Sequence, residues 1–204
     1  MTDTRAARIR GDMAGLARDH PVFGTVPRPV PVEVLDTGFA GMVHLILGQQ
    51  VSIEAADAMY RRLRETLGDV EPEALLRLDD ATIRSCGFTR MKAGYARDLA
   101  EAVIGGLDLA AVASAPAGEA LGSLMALRGI GRWTAECFLL FCAGHRDVFP
   151  AGDLALRRGW QELAAVAETP SEGDLRSTAA AWAPRRSAAA HLIWHAYLRR
   201  RGRR

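Results

Sequence analysis

The stretch from Leu121 to Asp153, LGSLMALRGIGRWTAECFLLFCAGHRDVFPAGD, constrains this chain more than any other. An apolar helical pattern through Leu121, Leu124 and Met125, with Arg128 at its edge, runs into Gly129-Ile130-Gly131. A second helical pattern starts at Arg132. Two helices joined by a hairpin too tight for side chains at two positions is the steric reading. Glycines at 129 and 131 supply backbone freedom and let another chain approach closely. Ile130 between them can plug back between the helices. The first N–H groups after the hairpin have no intrahelical acceptor and point outward, which makes an anion site. On a nucleic acid that anion is a backbone phosphate.

The 204 residues are enough for one domain with a substantial core, or for two small lobes. Composition, 49% apolar and 25% charged, is that of an ordinary soluble protein. No apolar run reaches the roughly 18 residues of a membrane helix. The start, MTDTRAARIRGD, has no apolar signal core. Together these suggest a bacterial cytoplasmic protein, associated with the nucleoid. Cys86, Cys137 and Cys142 are an odd set without paired spacing, which argues against disulfide staples. Cys137 and Cys142 are expected to face a core. The net charge of +2 is divided unevenly: residues 1–127 hold 13 basic and 17 acidic groups (−4), residues 128–204 hold 13 and 7 (+6). The basic half begins at the hairpin, which suits a polyanionic partner; a solvated Arg-rich surface is the plainer alternative. Lys92 is the only lysine.

In chain order, residues 3–18 have weak helical character, and Asp19 to Pro31, with four prolines, reads as an extended lead-in. Helices follow over Phe39–Leu47, from Ser52 as N-cap to Leu67, from Pro72 to Leu78, from Asp79 to Gly87, and from Thr89 to Ile104. A short one near Asp108–Ala113 precedes the hairpin pair, 117–128 and 132–143. Asp153 opens a helix to about Ala167, Ser171 and Asp174 form a capping box for one to Trp182, and a last helix runs from about Arg186 to Arg200. No strand-like alternation of useful length and no fixed repeat is found, so the fold class is all-α.

Leu-x-x-Leu-Arg-Gly-Ile-Gly-Arg-Trp-Thr-Ala followed by Asp-Val-Phe-Pro-x-x-Asp resembles the helix-hairpin-helix (HhH-GPD) DNA glycosylases, and within them the 3-methyladenine DNA glycosylase II branch. The resemblance continues at Ile46-Leu47-Gly48-Gln49-Gln50-Val51-Ser52 and at Ser187 to Trp194, covering roughly residues 19–198. It implies two helical lobes with the hairpin in one and a catalytic cleft between them. The central lobe would span about 36–145, with the hairpin at 121–142. The second lobe would join about 1–35 to 146–204. No room is left for the extra N-terminal β domain of some members. The iron–sulfur cluster of other relatives, held by four C-terminal cysteines, is excluded because no cysteine follows Cys142.

Taken alone, Asp153 before Leu-Ala-Leu-Arg-Arg reads as a helix N-cap. The resemblance makes it the catalytic carboxylate, and the roles are compatible because a helix N-terminus favours an anion. Asp147 is its nearest competitor and reads as structural. Trp133 and Trp194 are candidate walls of a base pocket, where flat aromatic surfaces hold a flipped base; otherwise they are packing residues. A positively charged alkylated purine adds cation–π attraction of roughly 0.5–2 kcal/mol. Trp160 and Trp182 read as core. Cys137 stands in the pocket where the family often has an aromatic, and Arg185 stands where an aromatic usually precedes Arg186-Ser187. The DNA contacts implied are Gly129, Ile130, Gly131, Arg132 and Thr134 at the hairpin. Gln50 would be the wedge that fills the hole left by the flipped base, with an ordinary linker residue as the alternative. Gln49 is expected to bond backbone within its own turn.

His20, His44, His145, His191 and His195 show no metal spacing with the cysteines, so no catalytic metal and no cofactor are expected. By resemblance, hairpin carbonyls can hold a monovalent cation that bridges to a phosphate. The run Arg199-Arg200-Arg201-Gly202-Arg203-Arg204 reads as a solvated tail. The leading expectation is a monomeric, monofunctional glycosylase acting on alkylated purines in double-stranded DNA during base excision repair. The alternatives are a non-catalytic binder of distorted DNA and a glycosylase for deaminated or oxidised bases. A strand-nicking relative places a lysine two residues after the second hairpin glycine; here that residue is Trp133. Lys92 reads as a surface or phosphate-contacting residue.

Overall fold

The structure, a computed structural model, describes residues 4–202. All its regular elements are helical among those residues. They begin with α1 (Thr4–Asp19) and α2 (Pro21–Gly24). The proline-rich lead-in is therefore not wholly extended: Pro21 stands in the first turn, where its missing N–H costs nothing. Then follow α3 (Phe39–Gly48), α4 (Ile53–Leu67), α5 (Pro72–Leu76), α6 (Asp80–Ser85), α7 (Arg90–Ile104), α8 (Leu109–Ser114), α9 (Ala117–Met125) and α10 (Arg132–Cys137). A π-helical turn, Phe138–Cys142, continues α10, so this helix is not the uniform α-helix that its apolar pattern suggests. The Ala143 N–H donates to the Phe138 carbonyl, the i→i+5 bond that defines such a turn. The chain closes with α11 (Leu154–Ala164), α12 (Glu172–Ala179), a 3-10 turn Ala180–Trp182, and α13 (Arg186–Arg200). Arg203 and Arg204 of the C-terminal run lie outside the described residues.

Contacts divide the chain into two compact units. One is Leu35–Ala143. In it α3 packs against α4, α7, α10 and the π turn, so it is the central helix. Met42, Val43, Ile46 and Leu47 of α3 are completely buried, each contributing about 1.5–3 kcal/mol of apolar burial. Helix ends are set by local chemistry. The hydroxyls of Ser52 and Thr89 and the carboxylate of Asp79 each accept a first-turn N–H, from Ala55, Lys92 and Thr82. Cys86, Cys137 and Cys142 are all free thiols buried in this unit.

The other unit joins residues 4–34 to 144–202. Here α13 packs against α11 and α1. Phe23, Phe149, Trp160 and Trp182 form an aromatic cluster with ring centroids 4.9–6.2 Å apart. Arginine–carboxylate pairs tie its two sequence segments together: Arg146 with buried Asp12, and Arg185 with Asp19. Arg185, an aromatic position in the resembling family, is thus a strap on α1; its guanidinium covers Gly15.

Candidate active site

Asp153 is the N-cap of α11, in extended backbone conformation (φ −69°, ψ 124°). Its Oδ1 accepts two bonds, from the Leu156 N–H at 2.8 Å and from the Trp194 indole Nε1–H at 3.0 Å. The first follows from the capping geometry; the second reaches across from α13. A carboxylate held from two directions has one orientation, which a group acting on a transition state requires. Trp194 is half-buried and packs edge-on against His191 at 6.4 Å. His191 is buried, and burial pushes its pKa down to about 4, so the ring is neutral at physiological pH. His195 lies 3.1 Å from the Pro27 carbonyl. Asp147, six residues before Asp153, is held by the Arg186 guanidinium in a two-pronged pair (2.7 and 2.8 Å), which lowers its pKa.

The hairpin is in the Leu35–Ala143 unit. Gly129 is left-handed (φ 81°), and a Cβ there would fall 2.2 Å from the Tyr95 ring, so any side chain is refused twice over. Ile130 is buried, as a plug between helices should be. Gly131 differs: it is the N-cap of α10 (φ −81°), and a Cβ there would meet no heavy atom within 4 Å. Packing among the described residues therefore does not require a glycine there. Arg132 is exposed and pairs with Glu136; Trp133 is half-buried. Thr134 is buried, and its hydroxyl accepts from Gln49, so its side chain faces inward rather than towards solvent. Cys137 is buried, at 2% exposure.

Gln50 is exposed and left-handed (φ 59°), which is uncommon for a residue with a Cβ. The Gln49 side chain does not bond within its own turn as expected. Its side-chain amide reaches the Gly129 carbonyl at 2.9 Å. Lys92 is not at the surface: it is 6% exposed, and its Nζ donates to the Leu47 carbonyl at 2.6 Å. Burial lowers its pKa. Among the described residues no group of three or more His, Cys, Asp or Glu side chains could hold a metal ion. No helix among them is long and apolar enough to cross a membrane.

Known proteins share this arrangement of elements. The chain is 30% identical over 162 residues to DNA-3-methyladenine glycosylase 1 of Schizosaccharomyces pombe, spanning 75% of this chain and 69% of that one. It is 28% identical over 164 residues to DNA-3-methyladenine glycosylase 2 of Escherichia coli, spanning 75% and 55%. Its structure is similar to the S. pombe 3-methyladenine DNA glycosylase solved with abasic DNA: TM-score 0.78, 27% identity, 92% and 95% of the two chains. A DNA-3-methyladenine glycosidase from Bacillus halodurans gives a TM-score of 0.75 at 32% identity, over 96% and 90%. Residues 43–185, which hold the Gln50 loop, the hairpin and Asp153, match the model of the HhH-GPD superfamily base excision DNA repair proteins, and the chain belongs to that superfamily.

Proposed function

We propose that this protein is a monofunctional DNA glycosylase that hydrolyses the N-glycosidic bond of alkylated purines, of the 3-methyladenine and 7-methylguanine type, in base excision repair. The observation that carries the reading is the Asp153 carboxylate, fixed at a helix N-terminus by the Leu156 N–H and the Trp194 indole. A pure DNA binder needs the hairpin but has no use for an oriented carboxylate. The names of the relatives supply the substrate class.

In the reaction, the bond between C1′ and the purine nitrogen breaks with its electron pair leaving on the base. Alkylation has already made that base a cationic, good leaving group. Positive charge develops on the sugar, and Asp153 stabilises it. Water adds to C1′ and gives up a proton, with the same carboxylate orienting it. Trp133 and Trp194 are each a candidate flat wall for the flipped base, and Cys137 stands where the family often has an aromatic. Gly131 is where a phosphate oxygen approaches the backbone; the empty space at its Cβ position supports this. Gly129, Ile130, Arg132 and Thr134 would complete that grip, and hairpin carbonyls would hold a monovalent cation that bridges to the phosphate. Gln50 fills the gap in the stack. The protein would act as a monomer on damaged duplex in the cytoplasm, at the nucleoid.

Water is the nucleophile because, among the described residues, no amine is placed to replace it: Trp133 stands where a lysine would, and Lys92 is buried against Leu47. The test is incubation with methylated duplex in the presence and absence of borohydride. Freed alkylpurines should be found by chromatography, with strands intact before alkali and no trapped protein–DNA adduct. Absence of any released base refutes the activity; a trapped adduct refutes the monofunctional mechanism.

A further inference from the structure

We propose that Gln49 is a positioning residue that couples the grip on the DNA backbone to the extrusion of the base. The inference rests on the proposed function, and deepens it, by linking two parts that the sequence leaves separate. The Gly129 carbonyl can only accept, so the Gln49 atom facing it is the amide nitrogen. That one nitrogen donates to Gly129 O at 2.9 Å and to the Thr134 hydroxyl at 3.1 Å. The two acceptors lie on either side of Ile130 and Gly131, one before the hairpin's tip and one in the helix after it. Gln49 therefore staples the hairpin closed from outside. Eighty residues separate it in sequence from Gly129.

The other end of the staple is the residue before Gln50. Gln49 is the C-cap of α3 in extended conformation (φ −61°, ψ 124°). Just before it, Lys92 pins the Leu47 carbonyl; just after the loop, Ser52 caps α4. Only Gln50 and Val51 between these anchors are exposed and uncapped, and Gln50 carries the left-handed strain. A left-handed backbone at a residue with a Cβ persists only where its surroundings impose it. The staple and the Lys92 pin impose it here. With the hairpin seated on a phosphate, the distance from that phosphate to the Gln50 side chain is then fixed by one amide. Gripping the backbone and presenting the wedge become a single event, rather than two independent ones.

The test uses the Asp153→Asn protein, so that no chemistry intervenes, and a duplex with 2-aminopurine stacked beside 7-methylguanine. Fluorescence rises when that neighbour loses its stack. Two changes are added separately: Gln49→Met, which removes the donor and keeps the length, and Gln49→Glu, which places an acceptor against Gly129 O. The expected result is an affinity within about threefold of the parent, a fluorescence rise reduced by at least about half for both, and a retained melting midpoint. A full fluorescence rise with either change overturns the proposal. Affinity and fluorescence falling together also overturn it, because Gln49 would then merely support the hairpin. The outcome does not depend on excision. If the unsubstituted protein releases no base, yet the rise is present and depends on Gln49, the glycosylase reading fails and the coupling stands. If the parent gives no rise at all, the coupling is wrong whatever the release assay shows.

Discussion

Asp153 and Gln50 stand at comparable places, Asp153 immediately before α11 and Gln50 three residues before α4 begins, yet the chain fixes them differently. Asp153 caps its helix itself: its backbone is relaxed, and its carboxylate is aimed by the Leu156 N–H and the Trp194 indole. Gln50 gives the capping to Ser52 and the anchoring to Gln49 and Lys92, and its own backbone takes the left-handed strain while its side chain stands out. The first arrangement fits a group that must hold still beside a reacting atom. The second fits a group that must project into a partner. The difference predicts that chemistry and DNA grip can be damaged separately.

The largest effect is expected at Asp153. Asparagine keeps an Oδ1 for both N–H donors while removing the charge, so Asp153→Asn should lower single-turnover excision by about 10³-fold or more. Its melting midpoint should stay within about 2 °C, since Asn and Asp cap equally well. Gly131→Asp should act on the other side of the comparison. A carboxylate in the open space above Gly131 repels a phosphate, and affinity should fall about tenfold or more for damaged and undamaged duplex alike in a gel-shift titration at fixed salt. Equal affinity would remove the hairpin from the account. Trp194→Phe keeps a ring and loses the N–H that aims Asp153. We expect about a tenfold slower excision with unchanged binding.

The smallest effect is one of pH. His191 has its folded pKa near 4, below the ordinary value of 6.5, so the unfolded chain binds the extra proton first. Its contribution is complete above about pH 6.5 and is lost as pH falls towards 4. His44 and His195 are shifted down as well, so the informative quantity is a difference. His191→Gln should flatten the fall of the melting midpoint between pH 6.5 and 4; an unchanged slope would remove His191 from that role.

How much of this is legible in the sequence follows from range. Ser52, Asp79, Thr89, Asp153 and Ser171 cap helices as their neighbours predict, because a cap is a contact three residues long. The glycine hairpin is legible for the same reason. Trp194 and Asp153 each stand out in the sequence, but the hydrogen bond between them spans 41 residues and does not. Gln49 is misread as bonding locally, because nothing near it says that a carbonyl eighty residues on is its partner. Lys92 is misread as exposed because charge normally means solvent; its burial depends on the end of α3 supplying an acceptor. Arg185 looks like a lost pocket aromatic until Asp19, 166 residues away, is seen beneath it. The π turn after Cys137 leaves no mark in an apolar run that any helix could bury.

The most direct test of the separation is to measure two quantities on one 7-methylguanine duplex, for Asp153→Asn and Gly131→Asp side by side: the dissociation constant, and the excision rate at saturating protein. The predicted pattern crosses. Asp153→Asn binds like the unsubstituted protein and scarcely releases base, whereas Gly131→Asp binds poorly and, once saturated, releases base at close to the normal rate. Near-normal turnover by saturated Asp153→Asn would contradict the account at its centre.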